Sequence, residues 1–219
     1  MKNVIRNRSF YFWNDLLNFK NLSIKQTKSF KKMLDLELRK ILICGIQQSG
    51  KTFFANWITK QFGVKAIVYA IHPEDFKDSP AMIYAGNSSK ETLNKFCKSV
   101  KQLAILEKIN MFIVDEADLF FTSNFDMAVI PELHDLILNH AHYNLSLVFI
   151  TRRPQDIPTK IAESCHHIII FKLEGDNAIK KFKEIDPRML PLIENLKYQD
   201  YRFIIKSIGE IPYICEKIN

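Results

Sequence analysis

The sequence predicts an α/β fold with a mostly parallel central sheet flanked by helices and a C-terminal antiparallel hairpin. From residue 40 onwards, short apolar runs alternate with stretches of helical periodicity, which is typical of strands joined by crossover helices. The runs are apolar along their whole length, as expected for strands buried on both faces of a parallel sheet. The end of the sequence differs, because YRFIIKS and IPYICEK flank a short turn and predict two antiparallel strands.

Five apolar runs give the predicted parallel strands, in chain order 41–45, 66–71, 111–115, 146–151 and 167–173. A helix is predicted after the first strand, because Phe54, Trp57 and Ile58 recur there at helical spacing. The next two helices are predicted at 89–106 and 126–141.

The stretch between the second strand and the second helix, residues 72–86, is interpreted as a loop. Its charge is acidic on balance, because Lys77 is set against Glu74, Asp75 and Asp78. We therefore do not expect this stretch to offer a basic surface to nucleic acid.

The composition indicates a soluble globular domain of ordinary size. The chain has 219 residues, of which 47% are hydrophobic and 25% are charged. No apolar run reaches the roughly 18 to 20 residues that cross a bilayer, and the start of the sequence lacks the apolar core of a signal peptide. We therefore expect a cytoplasmic protein. Neither a disulfide framework nor a zinc site is favoured, because the cysteines are widely spaced, at Cys44, Cys97, Cys165 and Cys215.

The net charge of +7 is concentrated near the N-terminus. Residues 1–40 hold ten Lys or Arg and three Asp or Glu, whereas the remaining residues hold 21 of each kind. The same part of the chain carries the aromatic run Phe10–Trp13. We therefore divide the chain into a basic, aromatic-containing segment, 1–38, and a folded domain, 39–219. Such a segment suits contact with nucleic acid, an acidic partner or a membrane surface; the alternative is a surface helix whose aromatics pack on the core.

The strongest functional signal is GIQQSGKT, residues 45–52, which fits the P-loop pattern G-x-x-x-x-G-K-[ST]. The motif follows an apolar strand and opens a helix, as phosphate binding by backbone N–H groups at a helix N-terminus requires. We expect Lys51 to reach the β- and γ-phosphates of ATP and the Thr52 hydroxyl to bind Mg²⁺. The predicted nucleotide-binding residues are Gly45, Gln48, Ser49, Gly50, Lys51, Thr52 and Phe53.

A second motif, MFIVDEADLF, supplies acidic residues at the end of another predicted strand. Asp115 is predicted to hold Mg²⁺, directly or through water. Glu116 is predicted to orient and deprotonate the attacking water, so the adjacent acid pair favours hydrolysis over phosphate transfer to another substrate. The alternative is that both acids belong to a helix N-terminus, where acids are favoured anyway. The sequence predicts a Mg²⁺-dependent ATPase with Lys51 and Glu116 as catalytic residues.

Two adjacent arginines end the fourth predicted strand, in ITRRPQDIP. In P-loop ATPases whose second acid lies on a separate strand, a further strand lies between the two, with its tip facing the γ-phosphate. Strand 146–151 is the candidate, so Arg152 and Arg153 are predicted to sense the γ-phosphate or to stabilise transition-state charge. One arginine would face its own nucleotide and the other that of a neighbouring subunit. The alternative is a pair of surface arginines that bridge to Asp156 or Glu163.

Together, GIQQSGKT, IVDEAD, ITRRPQDIP and HIIIFKL resemble the FtsK–HerA superfamily of DNA-pumping ATPases, which includes compact viral genome-packaging ATPases. The resemblance covers residues 38–175. It implies a RecA-like P-loop NTPase fold and a homo-oligomeric ring, commonly a hexamer, that translocates double-stranded DNA. In that family the strand after the acid pair commonly ends in Thr-Gln-Arg-Pro. Thr151, Arg153 and Pro154 match this pattern, while Arg152 occupies the glutamine position.

The function that the resemblance implies is an ATP-hydrolysing motor that packages a viral genome into a preformed capsid. Residues 1–38 would then dock on a capsid vertex or on membrane-associated proteins, and the protein would lie in the host cytoplasm or with the virion. The alternative is an assembly or secretion ATPase, similar to phage morphogenesis proteins, that does not act on DNA. A third interpretation is a nucleotide-dependent scaffold, which the adjacent acid pair disfavours.

Overall fold

The computed structural model describes residues 38–62, 65–121 and 129–218 of the chain. The basic segment 1–38 lies outside the described residues except for its last residue, so the predicted division of the chain stays a prediction. The first three residues of the helix predicted at 126–141 also lie outside them.

Within the described residues, eight strands form one sheet in the spatial order β3-β2-β4-β5-β1-β6-β7-β8. The strands are β1 (Lys40–Cys44), β2 (Ala66–Ala70), β3 (Met82–Ala85), β4 (Met111–Val114), β5 (Ser146–Thr151), β6 (His167–Ile170), β7 (Phe203–Ser207) and β8 (Tyr213–Cys215). All pairs among β1 to β6 are parallel, whereas β7 pairs antiparallel with both β6 and β8. The predicted fold class, with its C-terminal hairpin, is confirmed.

The central strands are buried along their whole length. Every residue of β2, β4, β5 and β6 is buried. Side chains alternate between the two faces of a strand, so complete burial means that both faces of the sheet are covered. This burial is the physical reason why these strands read as continuous apolar runs.

Strand β5 lies between β1 and β4, as the sequence predicted. Cys44 at the end of β1 is paired with Thr151, and Val114 at the end of β4 is paired with Phe149. The carboxyl ends of the three strands therefore meet at one edge of the sheet, and this edge carries the P-loop, the acid pair and the two arginines.

The described helices are α1 (Lys51–Phe62), α2 (Lys90–Ile105), α3 (Pro131–Asn139), α4 (Thr159–Ser164), α5 (Asp176–Ile185) and α6 (Leu190–Glu194). Helix α2 begins one residue after its expected start because Ser89 caps it, its side chain accepting a hydrogen bond from the Thr92 N–H (3.3 Å). Helix α3 occupies the centre of the helix predicted at 126–141, with a proline in its first turn.

The prediction that residues 72–86 form a loop is wrong in its second half. Residues Met82–Ala85 form β3, the edge strand that pairs with β2. All four residues are exposed, so the stretch lacks the continuous burial that marks the other strands. The aromatic ring of Tyr84 fixes the strand on α2, because it stacks on Phe96 with ring centroids 4.2 Å apart.

Two further observations concern the described residues as a set. None of their helices has both the length and the apolar character needed to cross a membrane. The four cysteines are buried free thiols, and no group of three or more His, Cys, Asp or Glu residues is arranged to hold a metal ion within the described ranges.

Candidate active site

The phosphate-binding loop, residues 45–52, joins the end of β1 to the first turn of α1, and hydrogen bonds hold its start on both sides. The Gly45 N–H donates to the Thr151 carbonyl oxygen at the end of β5 (3.3 Å). The Ile46 N–H donates to the Lys172 carbonyl oxygen just beyond β6 (2.9 Å). The sheet therefore fixes the loop at the edge where open α/β sheets bind their ligands.

Close packing requires a glycine at position 45, and a positive φ together with tight packing favours one at position 50. A Cβ atom on Gly45 would lie 2.5 Å from the Ser49 Oγ and 2.7 Å from the Phe171 Cβ. Gly50 has a φ of +107°, and a Cβ there would lie 3.2 Å from the Phe171 ring. A side chain at position 45 would push the loop away from Phe171, and one at position 50 would be strained by the positive φ, so the glycines allow the loop to lie at the edge of the sheet.

Lys51 is the cation of the loop, and its side chain is folded back into it. The residue is 7% exposed, and its Nζ donates a hydrogen bond to the Ile46 carbonyl oxygen (2.7 Å). Burial lowers the pKa of Lys51 to about 8, an effect that the carboxylates of Asp115 and Asp118 partly oppose. The ammonium group therefore stays charged at neutral pH, although it is poorly solvated, and an anion in the loop would relieve this desolvation.

The loop also presents two hydroxyl groups. The Ser49 Oγ is buried and, within the described part of the chain, has no hydrogen-bond partner. Such an orphaned donor suits a phosphate oxygen. Thr52 lines the adjoining cleft, whereas Phe53 is 57% exposed and does not line it.

The cleft beside the loop has a volume of about 370 Å³ and brings most of the predicted residues together. It is lined by Gln47, Gln48, Lys51, Thr52, His72, Glu74, Asp75, Asp115, Glu116, Ile150, Thr151 and Arg152. Its walls thus combine the phosphate-binding loop with the ends of β2, β4 and β5.

Asp115 and Glu116 follow β4 directly and differ in their surroundings. Asp115 is 6% exposed, and its pKa is raised to about 7, first by burial and then by the negative charge of Glu116. Glu116 has a left-handed backbone, with φ 48° and ψ 47°. Two adjacent acids at a cleft wall, one of them largely desolvated, form a site that a cation would stabilise.

The carboxylate of Asp115 and the hydroxyl of Thr52 fit a magnesium ion. Both groups offer oxygen atoms to the same cleft, and oxygen is the ligand that Mg²⁺ prefers. Burial and the neighbouring Glu116 raise the pKa of Asp115, so a cation bound beside it would favour its charged form. The donor set is therefore compatible with Mg²⁺ bound by one carboxylate, one hydroxyl and the phosphates of a nucleotide.

Arg152 points into the cleft and forms an ion pair with Glu116. Its Nη2 donates to the Glu116 Oε1, and this hydrogen bond raises the pKa of Arg152. The same Glu116 oxygen lies 3.6 Å from the Nε2 of His72. The predicted water-activating acid is thus held by a guanidinium group and approached by an imidazole.

A buried hydrogen-bond network fixes the tip of β5. The Asp118 Oδ1 accepts hydrogen bonds from the Thr151 Oγ1 (2.7 Å) and from the Arg152 N–H (3.3 Å). The Thr151 Oγ1 in turn accepts from the Arg153 N–H (3.0 Å). Asp118 therefore ties the end of β5 to the turn after β4, which sets the position of Arg152 relative to Glu116.

Arg153 differs from Arg152 in that it does not line this cleft. Its side chain is exposed and is not part of the cleft wall. The surface ion pairs considered from the sequence are not formed, because among the described residues neither arginine bridges to Asp156 or Glu163. The two arginines thus have different surroundings, and the roles predicted for them stay predictions.

Sequence reasoning missed the part of the cleft wall that follows β2. His72, Glu74 and Asp75 lie in the stretch interpreted as an acidic loop. A positional signal was present, because His72 follows the predicted strand 66–71 almost directly and the carboxyl ends of parallel strands share one edge. Only the position of β2 next to β4 brings this histidine to Glu116.

The comparisons with known structures agree with the fold that the resemblance implies. The genome-packaging NTPase B204 from Sulfolobus turreted icosahedral virus 2, in complex with ATP-gammaS, is 17% identical, with a TM-score of 0.68 over 83% of this chain and 98% of that chain. The DNA-packaging ATPase B204 from Sulfolobus turreted icosahedral virus is 18% identical, with a TM-score of 0.68 over 84% and 100% of the chains. VirB4 of Thermoanaerobacter pseudethanolicus is 10% identical, with a TM-score of 0.61 over 82% and 89%.

These TM-scores establish a shared RecA-like P-loop NTPase fold. Among curated proteins no sequence match is found. A family model does match, that of the ATPase family associated with various cellular activities (AAA), and it covers residues 41–173. This range runs from β1 through the P-loop, the acid pair and the arginines to the residues after β6. Because the match spans more than half of the sequence, the chain belongs to the AAA family of ATPases.

Proposed function

We propose that this protein is an ATP-hydrolysing motor that translocates double-stranded DNA, and specifically that it packages a viral genome into a preformed capsid. The observation that carries the ATPase part is the convergence of Lys51, Asp115, Glu116 and Arg152 on one cleft beside the phosphate-binding loop. The DNA part is supported by the fold shared with packaging NTPases and by the basic charge of residues 1–40.

The phosphate groups of ATP would bind in the loop at residues 45–52. Backbone N–H groups at the start of α1 would donate to them, and the helix dipole favours their negative charge. Lys51 would exchange the Ile46 carbonyl oxygen for phosphate oxygens, since an anion neutralises its charge better than a carbonyl does. Ser49 would gain the hydrogen-bond partner that it lacks among the described residues.

Thr52 and Asp115 would hold the magnesium ion. When bound, Mg²⁺ supplies positive charge that neutralises phosphate oxygens and orients them. Asp115 would then remain ionised at neutral pH, because the positive charge of the metal favours its charged form.

Hydrolysis would begin at Glu116. Its carboxylate would take a proton from a water molecule as the water oxygen attacks the γ-phosphorus. The bond between this phosphorus and the oxygen that bridges to the β-phosphate would break, which yields ADP and phosphate. Arg152 would leave Glu116 for the γ-phosphate when ATP binds, so that the ion pair restrains the acid until substrate arrives.

Arg153 would act in a neighbouring subunit of a homo-oligomeric ring, for which a hexamer is the expected form. Its side chain is exposed and lies outside its own cleft, as a residue that reaches another subunit must. Arg153→Ala and Glu116→Gln subunits would each be inactive alone. Mixed together, they should regain hydrolysis, because a Glu116→Gln subunit still offers its arginine to an Arg153→Ala neighbour with an intact acid. No recovery on mixing would place Arg153 in its own site instead.

Contact with DNA would come from the basic N-terminal segment and would be largely electrostatic. We therefore expect ATP turnover by the full chain to rise strongly on addition of double-stranded DNA and this stimulation to fall steeply with salt. Replacing Lys25, Lys28, Lys31 and Lys32 by Gln should reduce the stimulation and leave turnover without DNA unchanged.

The DNA experiment also separates the alternatives. A rate of ATP hydrolysis that DNA does not change at any salt concentration would contradict the proposed DNA motor and favour an assembly or secretion ATPase. Absence of hydrolysis with and without DNA would contradict the ATPase assignment itself.

A further inference from the structure

Two exposed aromatic rings lie beside the phosphate-binding loop, on the side of β1 opposite the acid pair. They belong to a second loop, residues 197–202, which lies between α6 and β7. Tyr198 and Tyr201 are 46% and 44% exposed. The Tyr198 hydroxyl donates to the Gln48 Oε1 (3.3 Å), and the Tyr201 Cδ1 lies 3.4 Å from the place where a Cβ on Gly50 would be. Both rings are therefore adjacent to the loop but outside the cleft that holds the acids.

The conformation of the 197–202 loop is strained and is held by its own hydrogen bonds. Gln199 and Tyr201 have φ values of 63° and 54°, in the left-handed region that side chains rarely adopt. The Asp200 carboxylate accepts hydrogen bonds from the Lys197 N–H (3.1 Å), the Arg202 N–H (3.0 Å) and the Arg202 Nε (2.9 Å). Strain of this kind persists only where the surroundings enforce it, and it is concentrated in ligand-binding segments.

The order of the strands determines in which direction a bound nucleotide extends across the edge of the sheet. The acids and Arg152 follow β4 and β5, which lie on one side of β1. The 197–202 loop precedes β7, which lies two strands from β1 on the other side, a distance of about 10 Å. A triphosphate whose γ-phosphate meets Glu116 must therefore extend its α-phosphate, sugar and base towards β6 and β7.

We propose that Tyr198 and Tyr201 form the subsite for the base of the nucleotide whose phosphates occupy residues 45–52. The inference rests on the proposed function only in requiring that the loop bind a nucleoside triphosphate. The aromatic rings offer a flat apolar face to a base, and base stacking on such rings tolerates any base because all bases have a π-face. The hydrogen bond from Tyr198 to Gln48 ties the base subsite to the loop that binds the phosphates.

The test compares ATP with inorganic tripolyphosphate, which has the phosphates but no base. Binding of both ligands is measured by calorimetry on the full chain, for the wild type and for a Tyr198→Leu/Tyr201→Leu double variant. We expect the double variant to lose about tenfold or more in ATP affinity. Its affinity for tripolyphosphate should be unchanged. Tyr201→Phe keeps the ring and is the matched control, so it should bind ATP like the wild type.

The possible outcomes distinguish a base subsite from a structural role. Equal losses for ATP and tripolyphosphate would mean that the tyrosines only support the phosphate-binding loop, and unchanged ATP affinity would mean that they contribute nothing; either result overturns the inference. Equal affinities of the wild type for the two ligands would overturn it without any variant, while leaving the phosphate site intact. If the wild type binds neither ligand, the proposed ATPase function fails as well.

Discussion

Lys51 is expected to destabilise the fold that it equips for phosphate binding. Burial lowers its pKa from 10.5 to about 8, so keeping the ammonium charged in the folded protein costs about 3 kcal/mol below pH 8. Lys51→Met removes this cost together with one hydrogen bond, to the Ile46 carbonyl oxygen, worth about 1 kcal/mol. We therefore expect the free energy of unfolding of the variant at pH 7 to be about 2 kcal/mol higher than that of the wild type. We also expect the variant to lose nucleotide binding.

Urea denaturation at several pH values measures this effect. Between about pH 8 and pH 10.5 the unfolded chain keeps a proton on Lys51 that the folded chain has released. The contribution of Lys51 to stability therefore rises with pH across this window, and the advantage of Lys51→Met should shrink through it. Lys60→Met, on the exposed face of the same helix, is the control and should change stability by less than about 0.5 kcal/mol. A Lys51→Met variant that is less stable than the wild type at pH 7, or whose stability advantage is independent of pH, would mean that the buried ammonium of Lys51 does not destabilise the fold.

Three further substitutions test the residues that support and line the cleft. Thr151→Val leaves the buried Asp118 carboxylate without its hydroxyl donor, so it should lower the free energy of unfolding by about 1 to 3 kcal/mol. An unchanged urea midpoint would contradict this hydrogen-bond network. Gly50→Ala should lower the free energy of unfolding more than Gly209→Ala does in the same assay. Both glycines have positive φ, but of the two only Gly50 has neighbours within 4 Å of an added Cβ. Equal losses of stability would argue against close packing at Gly50. Arg152→Ala should lower ATP turnover about 100-fold. Arg152→Gln, which introduces the residue common at this position in the FtsK–HerA superfamily, should keep most of the turnover. Equal losses of turnover for the two variants would contradict a sensing role at this position.

Burial explains why the core of the fold could be predicted. The run at 146–151 has no polar interruption until its end because both faces of β5 are covered, and its predicted bounds agree with the structure. Edge strand β3, Met82–Ala85, is apolar as well, but it has only four residues and follows an acidic stretch, so its sequence did not distinguish it from a loop. Its position depends on pairing with β2 and on the packing of Tyr84 against α2, neither of which leaves a periodic pattern in sequence.

The site could be predicted only where residues close in sequence act together. The P-loop and the acid pair are local motifs, so their spacing specified the phosphate and metal groups. The ion pair between Arg152 and Glu116 joins residues 36 positions apart, and it follows from the adjacency of β4 and β5. His72 likewise reaches Glu116 only through the strand order, because a single histidine after a strand matches no motif.

ATP hydrolysis by Glu116→Gln, measured together with the affinity of this variant for ATP, decides whether Glu116 activates the attacking water. The substitution keeps the size of the side chain and removes the carboxylate that would accept the proton. We predict that turnover falls at least about 100-fold while ATP affinity stays within a few-fold of the wild type. Glu74→Gln, a change to a more exposed carboxylate of the same cleft, should leave turnover nearly unchanged. Hydrolysis by Glu116→Gln at the wild-type rate would mean that Glu116 does not activate the attacking water.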